Sequence, residues 1–176
     1  MADYGLLTKQ IVSLAEVDAH WLPVLSNASA LLWDALDDIN WVGFYLVDPA
    51  TVSGAEPGAA PGEEPASQPG FPKLRLGPFQ GKVACVRIPF GRGVCGTAAA
   101  TKTSQLVEDV HQFPGHIACD SASNSEVVVP IFKGEQVVGV LDIDSPSVAR
   151  FTQEDLEGLE QVVKALEGCA NFSDFC

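Results

Sequence analysis

The stretch EVVVPIFKGEQVVGVLDID, residues 126–144, gives the clearest indication of the fold. Two runs rich in β-branched residues, Glu126 to Phe132 and Gln136 to Ile143, flank the turn KGE, which is a pattern typical of a β-hairpin. Asp142 and Asp144 interrupt the second run with one residue between them. Because successive side chains of a strand point to opposite faces, these two acids share one face of the predicted sheet.

Helices are predicted on both sides of this hairpin. Downstream, Thr152 is a plausible N-cap with Asp155 reaching back to it, and a buried stripe follows at Leu156, Leu159, Val163 and Leu166. Near the N-terminus a first helical stripe consists of Leu6, Leu7, Ile11, Leu14 and Ala15. A second helix follows Pro23, with its stripe at Leu25, Ala28, Leu32, Ala35 and Leu36.

Further strands lie between the helices and the hairpin. Trp41 to Val47 (WVGFYLV) predicts one strand, and Lys73 to Leu76 and Val83 to Ile88 predict two short ones around GPFQG. GRGVCGTAAATK predicts a glycine turn leading into a short helix, followed by a short strand at Leu106 and Val107 and a loop over 108–124.

Residues 49–72 differ from the rest, because six prolines with Gly, Ala and Glu between them cannot form a core. We therefore expect a mobile insertion at about 49–72 within a single domain that spans residues 1–176. The order of elements predicts an α+β fold, with a mostly antiparallel central sheet packed by N- and C-terminal helices.

Composition excludes several classes of function. The chain of 176 residues carries 10 Lys and Arg against 23 Asp and Glu, a net charge of −13, so it repels nucleic acid and anionic lipid. Its apolar runs are far shorter than the roughly 20 residues that span a bilayer, and its start does not resemble a secretory signal. Five cysteines without a CxxC pair indicate free thiols in a reducing compartment, and we expect a cytoplasmic protein.

Two cysteines are candidate nucleophiles by position. Cys95 lies in the glycine turn and Cys119 in the loop FPGHIACD, where backbone N–H groups favour a thiolate. Cys85 lies in a predicted strand, whereas Cys169 and Cys176 near the C-terminus look incidental. The alternative for each cysteine is that of a small buried hydrophobic residue.

Three carboxylates form a second candidate group. Glu126 begins the first strand of the hairpin, so the hairpin can bring it to Asp142 and Asp144. Neighbouring acids raise each other's pKa, which creates a proton donor near neutral pH, and together they attract an ammonium group. The alternative is a set of acids at strand ends that point into solvent.

Trp41 and Tyr45 lie four residues apart in one strand and project to the same side, where they can form the wall of a pocket or simply fill the core.

A zinc site is disfavoured, because the HxxxxHxxC spacing of His111, His116 and Cys119 matches no familiar tetrahedral site and a fourth ligand is not evident. GRGVCG lacks the Lys-Ser/Thr ending of a phosphate-binding loop. We expect neither metal nor cofactor.

Four segments resemble the free methionine-(R)-sulfoxide reductases, a family of GAF-domain enzymes that reduce the free amino acid. These segments are NWVGFYL, LGPFQGKVACVRIPFGRGVCGTAA, EDVHQFPGHIACDSASNSEVVVPI and GVLDIDSP. The resemblance runs from about the second helix to the last, and it implies one GAF domain over the whole chain. The insertion at 49–72 is longer than the connection usual in the family.

The resemblance implies roles for the cysteines. Cys119 corresponds to the nucleophile and Cys85 to its disulfide partner, while Cys95 is a third cysteine that could act as a competing nucleophile or resolving thiol. The family's acidic pocket falls on Glu126, Asp142 and Asp144, and which of them donates the proton stays open. The aromatic walls of the pocket fall on Trp41 and Tyr45.

The resemblance also implies a substrate and partners. Free methionine-(R)-sulfoxide would place its ammonium on the acids and its carboxylate on backbone N–H groups of the loop formed by Gly115, His116, Ile117 and Ala118. Thioredoxin is the expected reductant, and a homodimer is an expectation from the family. Two other functions compete with this one: a GAF domain that senses a small ligand, and a thiol redox switch without a substrate.

Overall fold

A computed structural model of the chain describes residues 2–52, 71–115 and 121–173. The elements of this part of the chain follow in the order α1 (Tyr4–Ala15), α2 (Trp21–Ala35), β1 (Trp41–Val47), α3 (Pro49–Val52), β2 (Lys73–Gly81), β3 (Arg87–Pro89), α4 (Gly93–Thr101), β4 (Gln105–Val107), β5 (Ser125–Lys133), β6 (Gln136–Ser145) and α5 (Gln153–Cys169). A short 3-10 helix, Val110–Gln112, lies between β4 and β5. None of the helices described is both long and apolar enough to span a bilayer.

The six strands form one sheet in the order β3-β2-β1-β6-β5-β4, and each neighbouring pair is antiparallel. This confirms the predicted α+β fold with an antiparallel central sheet. The β5–β6 hairpin is present, but its first strand continues to Lys133, so the turn is the pair Gly134-Glu135. The hairpin lies inside the sheet, because β6 pairs with β1 on its other side.

One face of the sheet, which we call the helix face, packs against α1, α2 and α5. Its strand residues are uniformly apolar: Val42, Phe44 and Leu46 of β1, Val127, Val129 and Ile131 of β5, and Val138, Leu141 and Ile143 of β6. Leu25, Leu32, Leu159 and Leu166 of the helices complete this core. Burial of this much apolar surface is the main source of stability in a domain of this size.

The opposite face, which we call the site face, is covered by the short helix α4. Its core holds the alternate strand residues, including Trp41 and Tyr45 of β1 and Val128 of β5. Helix α4 consists mostly of small residues, GVCGTAAAT, and Gly96 lies so close to the Pro89 carbonyl that a Cβ atom would collide with it. The small residues therefore let this helix lie close against the sheet.

The N-terminal helices differ in detail from the prediction. In α1 the buried stripe is Tyr4, Leu7, Ile11 and Ala15, whereas Leu6 and Leu14 are exposed. Helix α2 begins at Trp21 rather than after Pro23, because the His20 imidazole accepts the Leu22 N–H and caps the helix. The capping box of Thr152 and Asp155 at the start of α5 is confirmed.

The two strands predicted around GPFQG were placed incorrectly. Strand β2 runs through this segment to Gly81, and β3 is only three residues long, so Cys85 lies between strands rather than in one. The reason is a bulge: Gly77 and Pro78 together oppose Phe44 of β1, and pairing resumes beyond them. Bulges accommodate glycine and proline within a strand, although the same residues also indicate turns.

The predicted insertion falls largely outside the described residues. At its start Pro49–Val52 forms the one-turn helix α3, which Asp48 supports by accepting the Ala50 N–H on its carboxylate at 3.2 Å. Asp48 also pairs with Arg75 at 2.7 Å, which ties this helix to β2. Residues 53–70 lie outside the described part, so the mobile insertion stays a prediction.

Candidate active site

The three acids of the hairpin lie together on the site face. The β5–β6 register sets Glu126 directly opposite Asp144, with Asp142 two residues further along β6. Glu126 and Asp142 are each only 6% exposed, and Asp144 is half-buried. The spacing that places acids on alternate residues of a strand therefore assembles a carboxylate cluster rather than a solvent-facing fringe.

Helix α4 adds a thiol to this cluster. The Cys95 Sγ atom lies 3.9 Å from Glu126 Oε1, and the thiol is fully enclosed by α4 and the sheet. The ligand-type atoms of Cys95, Glu126 and Asp142 all lie within 4.8 Å of one another. A set of one sulfur and two carboxylates so close together can hold a cation, either a metal ion or a ligand ammonium.

An aromatic wall lies beside the acids. Trp41 pairs across the sheet with Asp144, and its ring stacks on Tyr45 at 5.7 Å and on Phe79 at 5.3 Å between centroids. Gly43 lies between them in β1, and a Cβ atom there would collide with Phe79 and the Trp41 ring. The stack of three rings is an apolar surface that can receive a methyl or thioether group.

The buried carboxyl groups have shifted acidities. Burial raises the pKa of Glu126 well above its usual range, and the charges of Asp142 and Asp144 raise it further. Burial also raises the pKa of Asp142, to about 6. The shift favours the protonated form of Glu126, whereas a pKa of about 6 leaves Asp142 mostly ionised at pH 7, so the cluster can offer a proton donor beside a negative charge.

The Cys95 thiol is unsuited to attack at neutral pH. Burial raises its pKa well above the ordinary value, and the neighbouring Asp142 and Glu126 carboxyl groups raise it further. The thiolate is the nucleophilic form of cysteine, so a thiol held neutral is a weak nucleophile. In this position Cys95 instead donates its S–H toward Glu126.

Asp142 carries an unmatched acceptor. Its Oδ1 atom is buried, yet it finds no hydrogen-bond donor among the described residues. A buried carboxylate oxygen without a donor is costly, and such a group commonly marks a place that a ligand completes. A positively charged donor such as an ammonium would satisfy both its hydrogen bonding and its charge.

The remaining cysteines occupy different environments. Cys85 is half-buried beside the aromatic wall and is disulfide-bonded, whereas Cys95 and Cys169 carry free thiols. Cys169 packs against the core on the helix face, which is the other face of the sheet from the acids. Cys119 and Cys176 lie outside the described residues, so their roles stay predictions.

Only part of the loop predicted to hold a carboxylate is described. Gly115 is exposed at the end of the described segment, and His116, Ile117 and Ala118 lie beyond it. His111 contacts Asn124 Oδ1 through Nε2 at 3.0 Å, an arrangement within the loop itself. The role of these residues in substrate binding stays a prediction.

Two residues near the cluster were not singled out from the sequence. Phe79 completes the aromatic wall, and its only sequence signal is its place in GPFQG, which looked like a turn. Ser123 is buried and accepts a hydrogen bond from the Asn40 side chain at 3.1 Å, which fixes the returning loop beside the end of β6. Both residues make these contacts with partners that are distant in the sequence, so local patterns do not reveal them.

Comparison with known proteins assigns the fold to a class. A family model of the GAF domain matches residues 24–169. A solved structure, that of fRMsr of Staphylococcus aureus in its reduced form, superimposes with a TM-score of 0.81 at 49% identity over 97% of both chains. The protein is thus a GAF-domain protein whose one sheet carries a buried acidic cluster.

The names of similar proteins narrow the GAF-domain class to one family of enzymes. A free methionine-R-sulfoxide reductase of Escherichia coli is 48% identical over 172 residues, which cover 98% of this chain and 91% of the relative. A free methionine-R-sulfoxide reductase of Neisseria meningitidis, solved in complex with its substrate, has a TM-score of 0.79 at 41% identity over 94% of this chain and 86% of its own. The chain belongs to the GAF-domain family of free methionine-R-sulfoxide reductases.

Proposed function

We propose that this protein reduces free methionine-(R)-sulfoxide to methionine with electrons from thiols. The observation that carries the proposal is the buried pair Glu126 and Asp142, both with raised pKa values, beside a three-ring aromatic wall. This combination offers a proton, a negative charge and an apolar surface, which match the sulfoxide oxygen, the ammonium and the S-methyl group of the free amino acid.

The free amino acid is the substrate that fits this charge pattern. Its ammonium group can donate to Asp142 Oδ1, which no described residue satisfies, and Asp144 adds a second negative charge next to it. A methionine sulfoxide residue inside a protein has an amide in place of that ammonium. Leaving the buried Asp142 unpaired disfavours the peptide-bound form, because an unmatched buried charge is costly.

Glu126 is the proton donor in this proposal. A sulfoxide oxygen has to accept a proton before its bond to sulfur breaks, and a general acid acts best when it holds its proton at the working pH. Burial keeps the pKa of Glu126 high, and Cys95 lies next to it as a neutral hydrogen-bond donor rather than as a nucleophile.

Cys119 supplies the nucleophile. Its thiolate attacks the sulfoxide sulfur, the protonated oxygen passes to the cysteine, and methionine leaves while Cys119 becomes a sulfenic acid. The Cys85 thiol then condenses with the sulfenic acid to form a disulfide and releases water. One sulfoxide and two thiols thus give one thioether, one disulfide and one water. The disulfide state of Cys85 supports its assignment as the resolving residue.

Thioredoxin restores both thiols by exchange in this scheme. A cycle that starts from free thiols requires a reducing compartment, so the proposed location is the cytoplasm. The role is repair of the free methionine pool after oxidation. The homodimer implied by the family stays a prediction.

The test is turnover of the purified protein on resolved R and S epimers of free methionine sulfoxide, with dithiothreitol as the reductant. We expect methionine from the R epimer alone. Turnover of both epimers would contradict the stereochemical assignment. No turnover of either would favour a ligand sensor, and titration of the Trp41 fluorescence with free amino acids would then identify what the acidic cluster binds.

A further inference from the structure

Phe79 reaches the site face because β2 contains a bulge. Before the bulge Leu76 of β2 opposes Tyr45 of β1, and both side chains lie on the site face. Beyond the bulge Phe79 opposes Gly43. A shift of one residue in the register of a strand turns every later side chain to the other face of the sheet. Without the bulge Phe79 would therefore point to the helix face, away from the acids.

Contacts on both of its residues build this bulge into the fold. A Cβ atom at Gly77 would lie 2.9 Å from the Phe44 carbonyl oxygen, so the position leaves no room for a side chain. The hydroxyl of Ser29, which is fully buried in α2, lies 3.2 Å from the Pro78 carbonyl oxygen and donates to it. Bulges next to active sites commonly serve to re-aim one side chain, which here is Phe79.

Phe79 and the acids lie on opposite sides of the Trp41 indole. Gly43 of β1 opposes Phe79 of β2 on one side and Asp142 of β6 on the other. The indole lies over Gly43 on the site face, since a Cβ atom at this glycine would be 2.7 Å from Trp41 Cη2. Phe79 therefore supports the indole on the side that faces away from Asp142.

Further contacts fix the plane of the indole. It lies within 15° of the plane of the Phe79 ring and within 24° of that of Tyr45. The indole N–H donates to the Lys82 carbonyl at 3.1 Å. A Cβ atom at Gly81 would lie 2.8 Å from Trp41 Cδ1, so no side chain separates the indole from β2 at this point. Among these contacts, the stack with Phe79 fills the space into which the indole would otherwise tilt away from the acids.

We propose that Phe79 is a positioning residue that, by holding the Trp41 indole in place, makes the site select an S-methyl sulfoxide over sulfoxides with a longer S-alkyl group. The inference rests on the proposed function, in which Asp142 holds the ammonium and the aromatic wall receives the S-methyl group. With the ammonium end fixed by the acids, the position of the indole limits the length of the substrate. An indole free to tilt toward β2 would admit one more methylene group, whose exclusion from a rigid apolar pocket changes kcat/KM about 10–200-fold.

The experiment compares two substrates that differ by one methylene group. We would measure kcat and KM for the R sulfoxides of free methionine and of its S-ethyl homologue, ethionine, with saturating dithiothreitol as the reductant. The variants are Phe79→Ala, Phe79→Leu and Phe79→Tyr. Phe132→Ala serves as the matched control, because Phe132 is a half-buried phenylalanine that packs against the same core but lies opposite Val137 at the turn end of the β5–β6 hairpin.

We expect the wild type to prefer methionine sulfoxide at least about tenfold in kcat/KM, and Phe79→Ala to narrow this preference at least about fivefold. The change should lie in KM, which should rise for the S-methyl substrate and fall for the S-ethyl one. Because the acids are unchanged, kcat for methionine sulfoxide should stay within about threefold. Phe79→Leu, which lacks the flat ring, should also narrow the preference, whereas Phe79→Tyr, which keeps the ring, should retain it.

A merely structural role of Phe79 would lower turnover of both substrates alike. A wild-type preference in folded Phe79→Leu would therefore overturn the proposal, and so would an equal narrowing in Phe132→Ala or a wild type that does not distinguish the two substrates. Phe79→Leu decides the question if Phe79→Ala does not fold. Absence of turnover by the wild type with either sulfoxide would instead overturn the proposed function, on which this role depends.

Discussion

The two faces of the sheet are built from the same strands but have opposite chemical character. On the helix face β5 and β6 present Val127, Val129, Leu141 and Ile143 to three helices. One residue away along each strand, Glu126 and Asp142 turn to the site face and lie beneath α4. The alternation of a strand thus lets one hairpin supply both a stable core and a charged site.

The two faces contribute to the free energy of folding with opposite signs. Burial of aliphatic side chains on the helix face stabilises the domain, whereas burial of two carboxyl groups on the site face costs desolvation. Raised pKa values of Glu126 and Asp142 are the visible result of that cost. We therefore expect substitutions on the site face to change mainly activity and substitutions on the helix face to change mainly stability.

The largest effect is expected from Cys119, the nucleophile of the proposed function. Cys119→Ser should lower kcat for methionine-(R)-sulfoxide by at least about 10³-fold, because a nucleophile that forms the covalent intermediate is lost. Cys169→Ser is the matched control, since Cys169 packs against the helix-face core. It should retain kcat within about twofold. Full activity of Cys119→Ser with dithiothreitol would contradict the assignment of the nucleophile.

Glu126→Gln should change activity and stability in opposite directions. We expect kcat to fall about 10²–10⁴-fold as the general acid is lost. The stability of the variant should instead be higher than that of the wild type at alkaline pH. The pKa of Glu126 in the folded state lies above the unfolded value of about 4.3, so the wild type loses stability as pH rises between the two.

The variant escapes this loss, because glutamine does not ionise. Its Tm should therefore exceed that of the wild type at pH 8, and the two should converge below about pH 4, where Glu126 is protonated in both states. Thermal unfolding at both pH values, with kcat on the same preparations, checks this. A lower Tm at pH 8 with unchanged kcat would show that Glu126 is structural.

Asp142 should govern binding more than turnover. Asp142→Asn removes the charge that faces the ammonium group, and we expect KM to rise about 10–100-fold, as for loss of a buried ionic contact. In the wild type kcat/KM should fall as pH drops below about 6, where Asp142 becomes protonated. The variant should lack that acidic limb. A pH profile of kcat/KM for both proteins tests this, and an unchanged profile would remove Asp142 from the binding site.

The smallest effect on activity is expected on the helix face. Leu159 is fully buried in α5, and Leu159→Ala should lower the free energy of unfolding by about 2–5 kcal/mol through lost burial and the cavity left behind. Turnover per folded molecule should stay within about twofold, because the sheet lies between Leu159 and the acids. Denaturant unfolding and active-site titration check the two quantities. A large loss of kcat in the folded fraction would show that the two faces are coupled.

The sequence predicts those features of the fold and of the site that depend on local residue spacing. Alternation within a strand is local, so the hairpin, β1 and the common face of Glu126, Asp142 and Asp144 follow from residue spacing. The bulge at Gly77-Pro78 is different, because those residues also suit a turn and only pairing with β1 decides between them. Phe79 was missed for that reason.

Residue spacing along the chain also does not predict which side chains are buried. Nothing in the N-terminal pattern separates the exposed Leu6 from the buried Leu7, since the choice depends on how α1 lies against α5. The neutral state of Cys95 likewise follows from helix α4 closing over two carboxyl groups. Assignments for Cys119 and the loop at 116–118 rest on family resemblance and stay predictions.

The hydrogen bond from Trp41 to the Lys82 carbonyl makes this indole an optical reporter. Of the chain's three tryptophans, Trp41 is 3% exposed, whereas Trp33 is 41% exposed and Trp21 stacks on His20. Its emission should therefore be blue-shifted, and it touches both the aromatic wall and the segment that carries Cys85. A chain with Trp21→Phe and Trp33→Phe would record substrate arrival and disulfide formation as two successive changes in the fluorescence of one residue.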